Sequence, residues 1–227
     1  MKSSHVLLSP GFFILSLAFV VCLLLGNIVA GRLIALGPWA LTGDLFFFPL
    51  VYILGDILTE VYGFHRARLT IWCGLAANLF MAGIFMILLQ LPAPDFFDGN
   101  EAYRLVLGMT PRVVLASTAA YFLGEFINSI VLSKLKLMTK GRWLGIRTIA
   151  SSVLGQALDT GVFMMIAFYG IYSGSQLGGM ILVQYVWKLG YEMLATPFTC
   201  WLAQRMKKYE GEDHFDYGVS YNPFRLR

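Results

Sequence analysis

The stretch Gly55-Asp56-Ile57-Leu58-Thr59-Glu60-Val61-Tyr62-Gly63 decides how the chain folds. It places two carboxylates, Asp56 and Glu60, inside a segment whose other residues are typical of a membrane span. Residues four apart lie on one face of an α-helix. A carboxylate in hydrocarbon costs at least about 2.5 to 3.5 kcal/mol, so both side chains should face a protein-lined interior. That face is the first candidate for a binding site.

The composition indicates a polytopic membrane protein. The chain has 227 residues, of which 58% are hydrophobic and 13% charged, with a mean hydropathy of +0.69. Soluble domains carry roughly 25% charged residues. The net charge of +4 does not indicate a nucleic-acid partner, because the basic residues fall mostly in short loops between apolar runs. The composition therefore predicts a protein that is surrounded by lipid.

Apolar runs predict an all-α bundle of six transmembrane helices. The expected spans are residues 11–35, 44–62, 69–91, 111–135, 148–172 and 178–204. The first run is too long for the apolar part of a signal peptide, so we expect it to be retained. Residues 1–204 would form the membrane domain, and residues 205–227 a charged cytoplasmic tail with no apolar period.

The distribution of basic residues predicts the orientation. Thirteen of the 17 Lys and Arg fall on the side of both termini, and five of these belong to a strongly basic segment, residues 134–147. The other side holds only Arg32, Arg104 and Arg112, and Lys188 lies inside a span. Cytoplasmic segments are enriched in Lys and Arg, so both termini should be cytoplasmic.

Polar residues inside the spans recur at helical spacing, which predicts buried faces. Hydrogen bonds between helices would explain Ser129, Ser152 and Thr160. They explain the acids poorly, because five carboxylates face one cation, Lys188. We therefore expect a polar central cavity, in which Asp159 or Glu125 pairs with Lys188. The four faces are Tyr52, Asp56, Thr59 and Glu60; Tyr121, Glu125, Asn128 and Ser129; Ser152, Gln156, Asp159 and Thr160; and Gln184, Lys188, Tyr191 and Glu192.

These faces suggest a flat ligand that is rich in N–H donors. A carboxylate accepts two parallel N–H bonds well, as from the amide and amino edge of a guanine. Tyr52, Tyr121, Phe126, Trp187 and Tyr191 could stack on such a ring, although each could equally be ordinary packing. The candidate substrate-binding residues are Asp56, Glu60, Glu125, Gln156, Asp159, Lys188, Glu192, Tyr52, Asn128 and Asn27.

The motifs of enzymes and cofactor-binding proteins are missing from the sequence. Cys22, Cys73 and Cys200 all lie in apolar runs, which gives neither a disulfide framework nor metal-ligand spacing. There is no ATP-binding loop, and no set of residues with the spacing of a zinc protease. We therefore expect no metal, no cofactor and no catalytic residue.

Several motifs resemble those of a known family. The run from Gly55 to Gly63 followed by Arg66, the segment Arg112-Val113-Val114-Leu115-Ala116-Ser117, the loop Thr139-Lys140-Gly141-Arg142 with Arg147, and Ser151-Ser152 with Gln156 and Asp159-Thr160 are similar to the queuosine precursor transporter family, also called the VUT family of vitamin uptake transporters. The resemblance covers residues 44–192. It implies a multi-pass importer in the bacterial inner membrane for the deazapurine bases 7-cyano-7-deazaguanine (preQ0) or 7-aminomethyl-7-deazaguanine (preQ1), which are salvaged to make queuosine in tRNA.

Two further hypotheses stay open at this stage. The chain could instead be the substrate-binding subunit of an energy-coupling-factor transporter, energised by separate ATPase subunits. An intramembrane enzyme using the carboxylates as acid and base is disfavoured, because no nucleophile–base pair or metal-ligand set accompanies them. The sequence leaves homo-oligomerisation, proton coupling and the choice of precursor undetermined.

Overall fold

The computed structural model describes residues 9–30, 32–36, 39–108 and 111–225. This part of the chain is helical apart from one short antiparallel hairpin, formed by β1 (Leu33–Leu36) and β2 (Trp39–Thr42) and followed by a 3-10 turn at Gly43–Phe46. The protein therefore has an all-α membrane-protein fold with a small β-hairpin. The helices are α1 (Pro10–Val29), α2 (Phe48–Tyr62), α3 (Phe64–Leu88), α4 (Asn100–Leu107), α5 (Pro111–Met138), α6 (Leu144–Phe168) and α7 (Gly174–Glu210).

Helix α2 lies at the centre of the fold. Twelve of its fifteen residues are buried, and it contacts α1, α3, α5 and α7. Because other helices surround it, α2 needs no lipid-facing surface and can carry Asp56, Thr59 and Glu60 without exposing them to hydrocarbon. The interior position that the sequence predicted for this segment is confirmed.

Six helices alternate in direction along the bundle, namely α1, α2, α3, α5, α6 and α7. The first turn of α1 lies beside the end of α2, where the rings of Phe12 and Tyr62 are 5.2 Å apart. The ends of α5 and α7 and the start of α6 meet there too, because Lys136, Lys207 and Arg147 all contact Glu60. We call this end of the bundle, where residues 211–225 pack as a strap, the strap face. The hairpin lies at the opposite end, which we call the hairpin face.

Residues 211–225 form a strap that packs against the strap face. The carboxylate of Asp216 accepts hydrogen bonds from the backbone N–H of Phe64, at 2.9 and 3.1 Å, and from the hydroxyl of Ser133. It thus caps the N-terminus of α3, which has no side-chain cap of its own. Gly63 makes the close approach possible: its φ is +83°, and a Cβ there would lie 2.3 Å from the ring of His214.

The strap is held to α3 by polar contacts with its backbone. Arg68 donates to the carbonyls of Ser220 and Asn222, and the indole of Trp72 donates to the carbonyl of Pro223 at 2.9 Å. The sequence predicted a tail without apolar period after residue 204. In the structure α7 continues to Glu210, and the polar residues that follow pack on the bundle.

The helix ends differ from the predicted spans in several places. The first apolar run continues to residue 35, but α1 ends at Val29 because the chain turns into the hairpin. Helix α3 begins at Phe64, before the predicted start at residue 69, and so includes the basic residues Arg66 and Arg68. The loop after α3 contains α4, which the sequence analysis missed.

Four helical stretches in the described residues are long and apolar enough to cross a membrane. They are α1, α3, α6 and a stretch within residues 100–138 whose described part includes α5. Helix α2 has 15 residues, which is about 22 Å at 1.5 Å per residue and shorter than the roughly 30 Å hydrocarbon core. Helix α7 has 37 residues but carries more polar side chains.

Helices α5 and α6 approach each other closely at two glycines. A Cβ on Gly155 would lie 2.8 Å from the Cβ of Asn128 and 2.9 Å from the carbonyl oxygen of Gly124. Small residues at such crossings let helix backbones pack tightly in membranes. This contact sets the position of α6 relative to α5.

We predict that Gly155→Ala destabilises the protein, because the added methyl group meets backbone on the facing helix. Overpacking of this kind costs about 1 to 3 kcal/mol, which lowers the unfolding midpoint by about 2 to 4 °C per kcal/mol for a chain of this length. The measurement is thermal unfolding of the purified protein in detergent. Gly161→Ala is the matched control on the same helix, since nothing lies within 4 Å of a Cβ there. Equal midpoints for the two variants would contradict the tight crossing.

Candidate functional site

The two carboxylates of the α2 motif have different surroundings. Asp56 belongs to a group of acids in the middle of the bundle, whereas Glu60, one turn further along α2, belongs to a network of ion pairs at the strap face. Both side chains are only 1% exposed. The two sets of contacts are described in turn.

The middle of the bundle contains a cluster of four buried acids, which we call the central acid cluster. Asp56 comes from α2, Glu125 from α5, Asp159 from α6 and Glu192 from α7. Glu125 interacts electrostatically with the other three acids, and all four interact with Tyr52. The structure therefore brings together acids that lie far apart in the sequence, on four different helices.

Neighbouring residues position Asp56 and Glu125. The amide of Asn128 donates to Oδ1 of Asp56 at 2.7 Å, which joins α5 to α2. Gly55 leaves room for Glu125, because a Cβ at that position would lie 3.1 Å from Oε2 of the glutamate. The hydroxyls of Thr148 and Ser152 on α6 stand beside Asp56 and Glu192.

Many polar atoms of this cluster lack a hydrogen-bond partner among the described residues. A buried polar group without a partner costs free energy, so such a concentration is expected where a ligand supplies the missing contacts. Most of the atoms are acceptors. They are both carboxylate oxygens of Glu125 and of Glu192, Oδ2 of Asp56, Oε1 of Gln156, Oδ1 of Asn128 and the hydroxyls of Tyr52, Thr148, Ser152 and Thr160.

Lys188 pairs with Asp159. Its Nζ lies 2.9 Å from Oδ2 of the aspartate, and both side chains are largely buried. The prediction that the partner comes from another helix, with Asp159 as one of two candidates, is confirmed. The same ammonium lies 3.8 Å from the centre of the Phe48 ring. The sequence analysis missed Phe48, because an aromatic residue at a helix start carries no signal of a cation contact.

Glu60 is the centre of the network at the strap face, which we call the Glu60 network. Arg147 donates to both carboxylate oxygens, at 2.6 and 3.0 Å, and Lys207 donates to one of them at 2.6 Å. Lys136 donates to the backbone carbonyl of Glu60 and lies 3.8 Å from its carboxylate. Asp213 of the strap binds both lysines, at 2.6 and 2.9 Å.

The expectation that Lys188 is the one cation facing five acids is therefore wrong. Three further cations reach Glu60, and two of them, Lys136 and Arg147, were placed by sequence in the basic loop. Both are almost fully buried. Long side chains at helix ends can reach back into the bundle, and sequence position alone does not reveal this.

Some predicted site residues lie away from the central acid cluster. Asn27 donates to the side chain of Asn78 at 3.0 Å and so joins α1 to α3. Trp187 and Tyr191 are 40% and 37% exposed on the outside of α7. Phe126 packs with Trp72 and Phe122. The hydroxyl of Tyr121 binds the carbonyl of Ile71. Among the proposed stacking residues, Tyr52 stays with the cluster.

The central acid cluster is closed in this structure, since its acids are between 0 and 4% exposed. A cleft of about 570 Å³ lies elsewhere, near the hairpin face between α6 and α7. It is bordered by Tyr169, Tyr172 and Leu177. The described residues contain no grouping of three or more His, Cys, Asp or Glu arranged to hold a metal ion.

Residues 42–202 match the sequence profile of a family described as "Putative vitamin uptake transporter". The match covers more than half of the chain and includes all four acids of the cluster. The chain belongs to this family. The vitamin uptake transporter family was the one that its motifs resembled, so the family and a role in transport are both supported by the comparison.

Three relatives carry informative names. The chain is 27% identical over 150 residues to the "Probable queuosine precursor transporter" of Bacillus subtilis, which is 65% of each chain. It is 28% identical over 122 residues to the protein of the same name from Haemophilus influenzae, covering 54% of this chain and 49% of that one. It is 26% identical over 128 residues to the "Queuosine precursor transporter" of Escherichia coli, covering 56% and 55%. The chain thus aligns with less than two thirds of each relative, and no solved structure matches it.

We predict that Lys188 and Asp159 act as a pair. Lys188→Met should be damaging alone, because it leaves a buried carboxylate without its counter-charge, at a cost of about 3 to 5 kcal/mol. It should be less damaging when combined with Asp159→Asn. The measurement is a double-mutant cycle on the thermal unfolding midpoint, with an expected coupling of about 1 to 3 kcal/mol.

The matched cycle combines Lys188→Met with Glu125→Gln. Glu125 interacts with Asp159 but makes no ion pair with Lys188, so its coupling should be the smaller of the two. A larger coupling in the Glu125 cycle, or strict additivity in the Asp159 cycle, would be incompatible with the observed pair.

Proposed function

We propose that the protein is an inner-membrane importer of queuosine precursors, taking up preQ0, preQ1 or both for queuosine salvage. The observation that carries the proposal is the central acid cluster, in which buried acceptor atoms without partners converge from four helices. Membership of the vitamin uptake transporter family and the names of the three relatives support the same conclusion.

The chemistry of the cluster fits a deazaguanine base. Glu125 and Glu192 each offer both carboxylate oxygens, Asp56 offers Oδ2, and Gln156 offers its amide oxygen, and these atoms have no partner among the described residues. The amide N–H and the amino group of a guanine-type ring are parallel donors, which suit a carboxylate. The ring of Tyr52 offers a flat surface beside them. The acids would repel an anion, and a sugar lacks the two parallel N–H donors of a guanine-type ring.

The remaining candidate residues take supporting roles in this proposal. Asn128 holds one oxygen of Asp56 and leaves the other for substrate. Lys188 supplies the counter-charge for Asp159 within the cluster. Glu60 fixes the helix ends around the site through its three cations, and Asn27 joins α1 to α3.

The topology that goes with this function has six spans, with both termini in the cytoplasm. The alternating helix directions support an even number of crossings, and α2 can serve as a short span because other helices enclose it. The strap face collects most of the basic residues of the chain. Cytoplasmic segments are enriched in such residues, so we assign this face to the cytoplasm.

We predict that the chain restores queuosine to tRNA in cells that cannot make deazaguanines and are fed preQ0 or preQ1. Asp56→Asn and Glu125→Gln should each lower uptake about 10-fold or more at normal protein level, since a charge-assisted hydrogen bond contributes about 1.5 to 3 kcal/mol. Asp98→Asn, in the exposed loop after α3, is the matched control.

Normal uptake by both cluster variants would contradict the assigned site, and failure of the unmodified chain with either precursor would contradict the function. Uptake that needs co-expressed ATPase subunits would contradict an importer that works alone. Glu60→Gln is not an equivalent test, because it also removes the acceptor shared by Arg147 and Lys207.

The orientation gives a separate prediction. A reporter fused after Arg227 and a cysteine introduced at Lys140 should both be found in the cytoplasm, whereas a cysteine at Asp98 should react from outside. The measurement is labelling of whole cells with a membrane-impermeant thiol reagent, in protein without its three native cysteines. Reaction of the Lys140 position from outside would overturn the assignment.

A further inference from the structure

The central acid cluster is separated from the strap face by a single layer of contacts. Asp56 lies in the cluster, and Glu60 follows one turn later on the same helix. The Glu60 network occupies this layer, joining α2 to α5, α6 and α7. Anything leaving the cluster toward the strap face must pass the level of Glu60, so these contacts have to open.

The contacts of the layer differ in burial. The pair between Glu60 and Arg147 is bidentate, and each side chain is 1% exposed. The side chains of Lys207 and Asp213 are 19% and 46% exposed. Ion pairs near water are weaker than those in the interior, so the edge at Lys207 and Asp213 is the easier one to break.

The strap closes this weaker edge from the outside. Asp213 binds Lys136 and Lys207, and the carbonyl of the next residue, His214, accepts a hydrogen bond from Lys136 at 2.7 Å. Burial raises the pKa of Asp213, but the hydrogen bonds and charges of the two lysines outweigh it, and the pKa lies below its ordinary value. Asp213 is therefore ionised at neutral pH and holds the strap across the layer.

Helix α7 contains a proline between the cluster and this edge. Pro197 lies inside the helix, between Glu192 and Lys207, and a proline there removes one backbone hydrogen bond. The end of α7 that carries Lys207 can thus move relative to the part that carries Glu192.

We propose that the Glu60 network and the strap form the gate that closes the central acid cluster on the strap face. The gate opens when Lys207 and Asp213 separate from Glu60 and Lys136, while the pair between Glu60 and Arg147 keeps α2 and α6 together. The inference rests on the proposed transport function only for the direction of release, and its test uses no substrate.

The test measures access to a thiol placed in the cluster. Ser152→Cys is nearly isosteric, and Ser152 is fully buried beside Glu192. The three native cysteines are replaced by serine. A membrane-impermeant maleimide is added to everted and to right-side-out vesicles, so that labelling from each face is measured separately.

Lys207→Gln and Asp213→Asn should each raise the labelling rate from the strap face about 10-fold or more, because each removes two charge-assisted contacts and so increases the population of the open form. The matched controls are Lys208→Gln, the exposed neighbour, and Glu212→Gln, whose partner Arg66 lies on the surface. Both controls should label at the rate of the parent protein.

Equal rates for the gate variants and their controls would overturn the proposal. An equal rise from both faces would also overturn it, because that result indicates a loosened fold. Asp213→Asn decides the test if Lys207→Gln lowers the amount of folded protein, since Asp213 is half-exposed and its neutral amide fits the same space. Loss of uptake without a change in labelling would count against the gate, and uptake assays of the cluster variants would still test the proposed function.

Discussion

The buried charge of Glu60 is the constraint on which the strap face depends. An ionised carboxylate inside a bundle is stable only when cations and hydrogen bonds compensate it. Here the compensation comes from Arg147 on α6, Lys136 on α5 and Lys207 on α7. Contacts with one side chain on α2 therefore fix the position of each of these helix ends. The strap adds the second acid, Asp213, which keeps the two lysines from repelling each other.

Asp56 shows what happens when the same type of residue lacks this compensation. It has one amide donor, Asn128, and shares its surroundings with Glu125 and Glu192, which have no cation partner among the described residues. A protein gains no stability from such a cluster, because buried like charges oppose each other. In the proposed function, a ligand supplies the missing donors. Two carboxylates one helical turn apart thus have different surroundings: Glu60 joins four helices through ion pairs, and Asp56 is the one proposed to bind substrate.

Helical spacing in the sequence predicted much of the candidate site, but it did not predict the contacts at the strap face. Spacing placed Asp56 on an interior face, and the scarcity of cations inside the spans gave Lys188 a partner on another helix. Arg147 could not be assigned in this way, because it lies next to a basic loop and nothing local distinguishes a solvated arginine from one that turns inward. The packing of the strap could not be predicted from sequence either. The strap binds the bundle through backbone carbonyls and the capping carboxylate of Asp216, and not through an apolar face that would show as a hydrophobic pattern. Apolar runs also predicted the presence of a helix better than the residue at which it ends. The first predicted span, for example, continues past the end of α1 into the hairpin.

Helices α5 and α6 form the part of the bundle that is least able to change, because their backbones touch at Gly124 and Gly155 and leave no space for rearrangement. Helix α7 is different: it carries Glu192 in the central acid cluster and Lys207 at the strap face, fifteen residues or about 22 Å apart. If substrate binds as proposed, the contacts of Glu192 change on the same helix that holds the exposed edge of the Glu60 network. Because Pro197 interrupts the hydrogen bonds between the two positions, the helix can respond by bending there without disturbing the α5–α6 pair. This arrangement links occupancy of the acid cluster to the strap through one helix.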